Sequence, residues 1–142
     1  MSRSVLTAFG QPDLPVPERI RDGVESHFDF IAANPDLPRF IVNEVFSRPE
    51  RYESMRSRVR EVAETLMHDI QLELDASAAR GETEPIDARM LLLDIISLNV
   101  FPFIALPVVE PILGDLSGNR ERFLELRRAE NTEIILRRLK KA

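Results

Sequence analysis

The sequence predicts an all-α protein, an irregular antiparallel bundle of about six helices around one core. Three observations carry that prediction. Apolar residues recur at steps of three and four, the period of a one-sided helix. No run alternates polar residues with β-branched ones, as a half-buried strand would. Ten prolines and five glycines fall largely where one helical run stops and the next begins. At 142 residues with 44% hydrophobic content, the chain fits one domain able to bury its own core. It has no cysteine, which excludes disulfides and thiolate metal sites.

Residues 2–9 read as a short helix, and residues 1–10 are expected to be the remnant of a longer connecting element. A proline-rich connector follows over 11–17. Pro17 suits the first turn of a helix running to residue 33, with Ile20, Val24, Phe28 and Ile31 on one face. Asn34-Pro35 ends it, because a residue before proline avoids helical dihedrals. Asp36 is an expected N-cap for a short helix to residue 47, with Pro38 tolerated in its first turn. After Arg48-Pro49 the longest helix runs to about residue 80. Its predicted inward stripe is Tyr52, Met55, Val59, Val62, Leu66 and Ile70, and Gly81 supplies its stop. Asp87 then caps a helix whose body, residues 90–104, is apolar almost all round, and Asn119 caps a final helix reaching the C-terminus.

The net charge of −5 argues against nucleic-acid binding by this chain itself. The basic end, residues 119–142, holds eight Lys+Arg against four Asp+Glu, and these complement the dipole of a terminal helix. The most apolar stretch, residues 90–113, is interrupted by Asp94, Asn99, Pro102, Pro107, Glu110 and Pro111, which argues against a membrane span. The start has no signal-peptide pattern, so a cytoplasmic location without membrane partners is expected.

An all-round apolar helix in a small domain is most easily covered by a second chain. In the penultimate helix Leu91, Ile95 and Leu98 share one side. Leu92, Ile96 and Phe103 lie about 100° round from them, while Leu93, Val100 and Ile104 lie opposite. The last helix repeats the excess with Phe123, Leu124, Ile134, Ile135 and Leu139, broken by Arg127 and Asn131. The expected arrangement is a homodimer whose last two helices form a four-helix interface through Leu92, Ile96, Val100, Phe103, Phe123, Leu124, Asn131, Ile134, Ile135 and Leu139. The alternative is a central helix buried wholly within the monomer.

A pocket for a small apolar or amphipathic ligand is expected between the earlier helices and the penultimate one. Its candidate lining is Phe28, Ile31, Phe40, Phe46, Met55, Val59, Leu66, Met67, Leu91, Ile95 and Asn99. Asn99, set in an apolar wall, either satisfies a backbone group beside Pro102 or orients a ligand. Catalytic constellations are thin. His27 and Asp29 sit on different helix faces, while Glu64 and His68 share a face that points away from the apolar stripe. There is no glycine-rich phosphate loop and no serine nucleophile elbow, so neither enzymatic activity nor a metal or cofactor is expected.

Three segments carry a family resemblance. The segment ANPDLPRFIVNE (33–44) ends a helix at Asn-Pro and begins a short one at Leu-Pro-Arg-Phe. GETEPIDARMLLLDIISLNVFPF (81–103) leads from a loop into the apolar helix, and NRERFLELRRAENTEIILRRLKKA (119–142) closes the chain. In this order and spacing they resemble the C-terminal regulatory domain of the TetR family of bacterial transcriptional regulators, over residues 16–141. The resemblance implies an effector-sensing, dimerising domain. Ligand binding would shift the bundle and so the spacing of two DNA-binding heads, which contact half-sites about 34–36 Å apart. The family's N-terminal helix-turn-helix is missing here, so DNA contact is expected only through a domain this chain lacks. The competing reading is a free-standing helical small-molecule binding or partner-docking protein with no DNA role.

Overall fold

A computed structural model describes residues 14–141. Helix α1 spans Val16–Ala33, α2 Leu37–Phe40, α3 Glu53–Ala79, α4 Ala88–Leu113 and α5 Arg120–Leu139, and no strand occurs among the described residues. The expected helix over residues 2–9 lies outside them.

Local chemistry accounts for most boundaries. Pro15 holds an extended φ/ψ of −56°/150°, and Pro17 occupies the first turn of α1, where a missing N–H costs nothing. Asn34 closes α1, its Nδ2 donating to the Phe30 carbonyl at 2.9 Å. Asp36 does not act as the expected side-chain cap. Its own φ/ψ of −84°/−14° is already helical, whereas a capping carboxylate needs an extended backbone to reach the next amides. The helix that follows is also shorter than expected. After Phe40 it loosens into a π-helical turn over Ile41–Val45, and Pro49–Tyr52 forms a separate 3-10 turn before α3 begins.

Asp87 and Asn119 do cap α4 and α5, each from an extended backbone. The Asp87 carboxylate accepts from the Arg89 amide at 2.8 Å, and Asn119 Oδ1 accepts from the Arg122 amide at 3.0 Å. Gly81, at φ +77°, turns the chain out of α3, a left-handed conformation that glycine adopts without steric cost.

The core joins Val16, Ile20 and Val24 of α1 to Ile70 and Leu74 of α3, Leu91 and Ile95 of α4, and Ile135 and Leu139 of α5. Gln71 stitches the α3–α4 loop into place. Its Nδ-equivalent amide nitrogen, Nε2, donates to the Ile86 carbonyl at 2.9 Å, while its Oε1 accepts from the Ala88 amide at 2.7 Å.

The predicted inward stripe of the long helix holds only in its second half. Ile70 is buried and Leu66 half-buried, but Met55, Val59 and Val62 are exposed. The reason is length. Twenty-seven residues span about 40 Å at 1.5 Å per residue. The core engages only the end that carries Ile70 and Leu74, so the first turns run past it.

Candidate functional site

Two features stand out, one buried and one open. The buried feature is a run of polar side chains joining three helices. Asn99 on α4 and Asn131 on α5 are both fully buried. Asn99 Nδ2 donates to the Val24 carbonyl and faces His27 Nδ1, each at 3.0 Å, so this amide binds α4 to α1. Asn131 Nδ2 donates to Asn99 Oδ1 at 2.9 Å and to the Leu98 carbonyl at 3.0 Å. Arg127 Nη2 in turn donates to Asn131 Oδ1.

The Leu98 bond has a covalent cause. Pro102 lies four residues after Leu98 and has no N–H, so the Leu98 carbonyl loses its helical donor. Asn131 replaces that donor from the neighbouring helix. Of the two roles expected for Asn99, serving the backbone beside Pro102 falls to Asn131, while Asn99 itself is tied to α1. Burial lowers the pKa of His27 from its ordinary 6.5 and favours the neutral ring.

The open feature is a groove of about 680 Å³ between α4 and the start of α5. Its walls include Ile96, Val100, Phe101, Ile104, Ile112 and Phe123. Arg127 is the one charged side chain among its lining residues. The same face of α4 leaves Val108 78% and Ile112 84% exposed. By length and composition, residues 88–117 are apolar enough to cross a membrane. Two features oppose that reading. Asp94 and Glu110 interrupt the helix, and its Leu91–Ile95–Asn99 side is built into the bundle. Next to Arg127 on α5, Arg128 clamps α1 through Asp29 (2.9 and 3.0 Å) and Glu25 (3.4 Å), and Asp29 is the first cause of its raised pKa.

The structure divides the predicted ligand-lining residues into two groups. Phe28, Ile31, Leu91, Ile95 and Asn99 are buried, and Leu66 and Met67 pack partly against the core. Phe40, Phe46, Met55 and Val59 stand exposed, Phe40 meeting Tyr52 edge-on at 6.5 Å. None of these eleven lines the groove.

Of the predicted interface residues, Ile96, Val100 and Phe123 line the groove, Leu92 is half-buried and Ile134 is exposed. Phe103 tilts against Phe28 at 5.9 Å and, with Leu124, lines a neighbouring 540 Å³ pocket. Asn131, Ile135 and Leu139 lie inside the chain's own core region. Sequence reasoning missed Phe101, Val108, Ile112 and Leu116 as members of the open face. For Val108, Ile112 and Leu116 the signal was the apolar pattern continuing past Ile104, and Phe101 lies within the 90–104 body itself. His68 and Glu64 are both exposed, and no group of three or more potential metal ligands occurs among the described residues.

The arrangement defines an all-helical domain whose distinctive chemistry is uncovered apolar surface beside a buried amide network. A family model described as "Tetracyclin repressor-like, C-terminal domain" matches residues 15–135, and the chain belongs to that family. The family is one of regulators rather than enzymes. No curated protein and no solved structure gives a significant match.

Proposed function

We propose that this chain is the effector-sensing and homodimerising domain of a TetR-type transcriptional regulator, acting in the cytoplasm. A second copy covers the α4–α5 face. A small apolar or amphipathic effector biases the bundle, and DNA contact belongs to a helix-turn-helix outside the matched region. The observation that carries the reading is the uncovered face of α4, where Phe101, Val108 and Ile112 lie in a row continuous with an apolar groove. A patch of this kind on a single chain marks an interaction surface. The exposed apolar start of α3, with Phe40 and Phe46 nearby in sequence, supports an effector surface separate from it.

Sedimentation equilibrium of the wild type and of Ile112→Glu tests the association face. Losing one buried isoleucine costs about 1.5–3 kcal/mol, and a buried unpaired carboxylate adds to that. The dimer Kd should therefore rise at least about tenfold, with helicity retained because Ile112 is exposed in the single chain. A monomeric wild type at micromolar concentration overturns the dimer. Native mass spectrometry of protein purified from its host tests the effector by showing whether a small molecule copurifies.

A further inference from the structure

We infer that Arg127, Asn131, Asn99 and His27 form a one-way hydrogen-bond relay that sets Arg127, on the open α4–α5 groove, according to the position of α1. The inference rests on the reading of that groove as the association face. Its direction follows from partners that have only one possible role. The Val24 and Leu98 carbonyls can only accept, so the Asn99 and Asn131 atoms facing them are amide nitrogens. The Arg127 guanidinium can only donate, so the Asn131 atom facing it is the oxygen.

With both amides fixed at both ends, no flip is open to either. Asn99 Nδ2 already donates one hydrogen to Val24, and its second points at His27 Nδ1. That ring nitrogen must therefore accept, and His27 carries its proton on Nε2. Each amide spends both hydrogens and its oxygen inside the network. A shift of α1 that withdraws His27 or the Val24 carbonyl leaves Asn99 with an unpaired buried donor, a cost that favours rearrangement of the next links. The last link is Arg127. Its Nε is buried without a hydrogen-bond partner, and among the described residues Asn131 is the hydrogen-bond acceptor found for that guanidinium. His27 itself does not line the groove. The two asparagines link it to Arg127 by hydrogen bonds, beside the separate Arg128 clamp on Glu25 and Asp29.

The test is ¹⁵N NMR of the full chain near neutral pH, with exposed His68 as the internal reference. His27 should show an accepting Nδ1 and a protonated Nε2. Arg127→Gln should move the His27 Nδ1 resonance and leave His68 unchanged, and His27→Phe should move the Arg127 Nε–H resonance. A His27 protonated on Nδ1 overturns the relay in the wild type alone, so the test survives a variant that fails to fold. Two variants that fold and leave both resonances unmoved overturn it as well. In a dimeric wild type, His27→Phe should also change the dimer Kd by at least about twofold, the lower edge of coupling within one polar network. An unchanged Kd overturns the link to association. If the wild type is monomeric, the dimer reading fails and the relay stands or falls on the two resonance shifts.

Discussion

Replacing Asn131 with alanine should be among the most damaging single changes in this chain, and its cost should depend on a proline in another helix. Asn131→Ala removes the donor to the Leu98 carbonyl and the donor to Asn99 Oδ1, and it frees Arg127 Nη2. Each buried acceptor left unpaired costs about 1–3 kcal/mol. Two such acceptors place the variant about 2–6 kcal/mol below the wild type. The Leu98 share exists only because residue 102 has no N–H. In a Pro102→Ala background the helix itself supplies a donor to Leu98, so Asn131→Ala should cost about 1–3 kcal/mol less there.

The assay is urea unfolding of the wild type, both single variants and the double variant, at one protein concentration, since association shifts apparent stability. Stabilities that add to within about 0.5 kcal/mol refute the reasoning, because independent sites add to that precision. In that case the 3.0 Å approach of Asn131 to Leu98 would not be answering the carbonyl orphaned by Pro102.

Two further outcomes follow. The Asp87 cap holds its carboxyl down at about 2 through bonds from Arg89, so its folded pKa lies below the ordinary 3.8. Its contribution is nearly full above pH 3.8 and is lost as pH falls through about 2. Asp87→Ala should thus lower the melting temperature at pH 7 by more than it does below pH 2, by circular dichroism. Hydrogen exchange should be slower at Ile95 and Asn99 than at Val108 and Ile112 of the same helix, because only the former pair is buried. Equal protection along α4 at concentrations where the chain is monomeric would contradict the division of that helix into a fixed and an uncovered half.

The bundle and its punctuation were legible because they are local chemistry. Asp87, Asn119, Gly81 and the Asn34-Pro35 pair act where they stand in the sequence, through dihedrals and amides within a few residues. Asp36 was misread because capping depends on the residue's own backbone conformation, and composition alone does not fix that. The first half of α3 was misread for a different reason. Helical periodicity shows which residues share a face but not whether anything lies opposite, so Met55, Val59 and Val62 look the same as Ile70 in sequence. The amide network was invisible for a third reason. Asn99 contacts His27 and Val24 across separations of 72 and 75 residues, and only the fold brings them together.

These observations make α4 two helices in one. Its first half is bound on three sides, by core leucine and isoleucine, by Asn99 to α1, and by Asn131 from α5. Its second half carries Pro102, Pro107 and Pro111, each of which removes a helical hydrogen bond, and there the exposed Val108 and Ile112 have no core to enter. The stretch interrupted by three prolines therefore coincides with the two most exposed large apolar side chains among the described residues, Val108 and Ile112. A partner covering that face would add its apolar burial where the helix contributes least of its own. The Asn99–Asn131 pair stands at the junction of the two halves, with Arg127 reaching from it to the groove. The same two amides therefore connect α1 to the open α4–α5 groove.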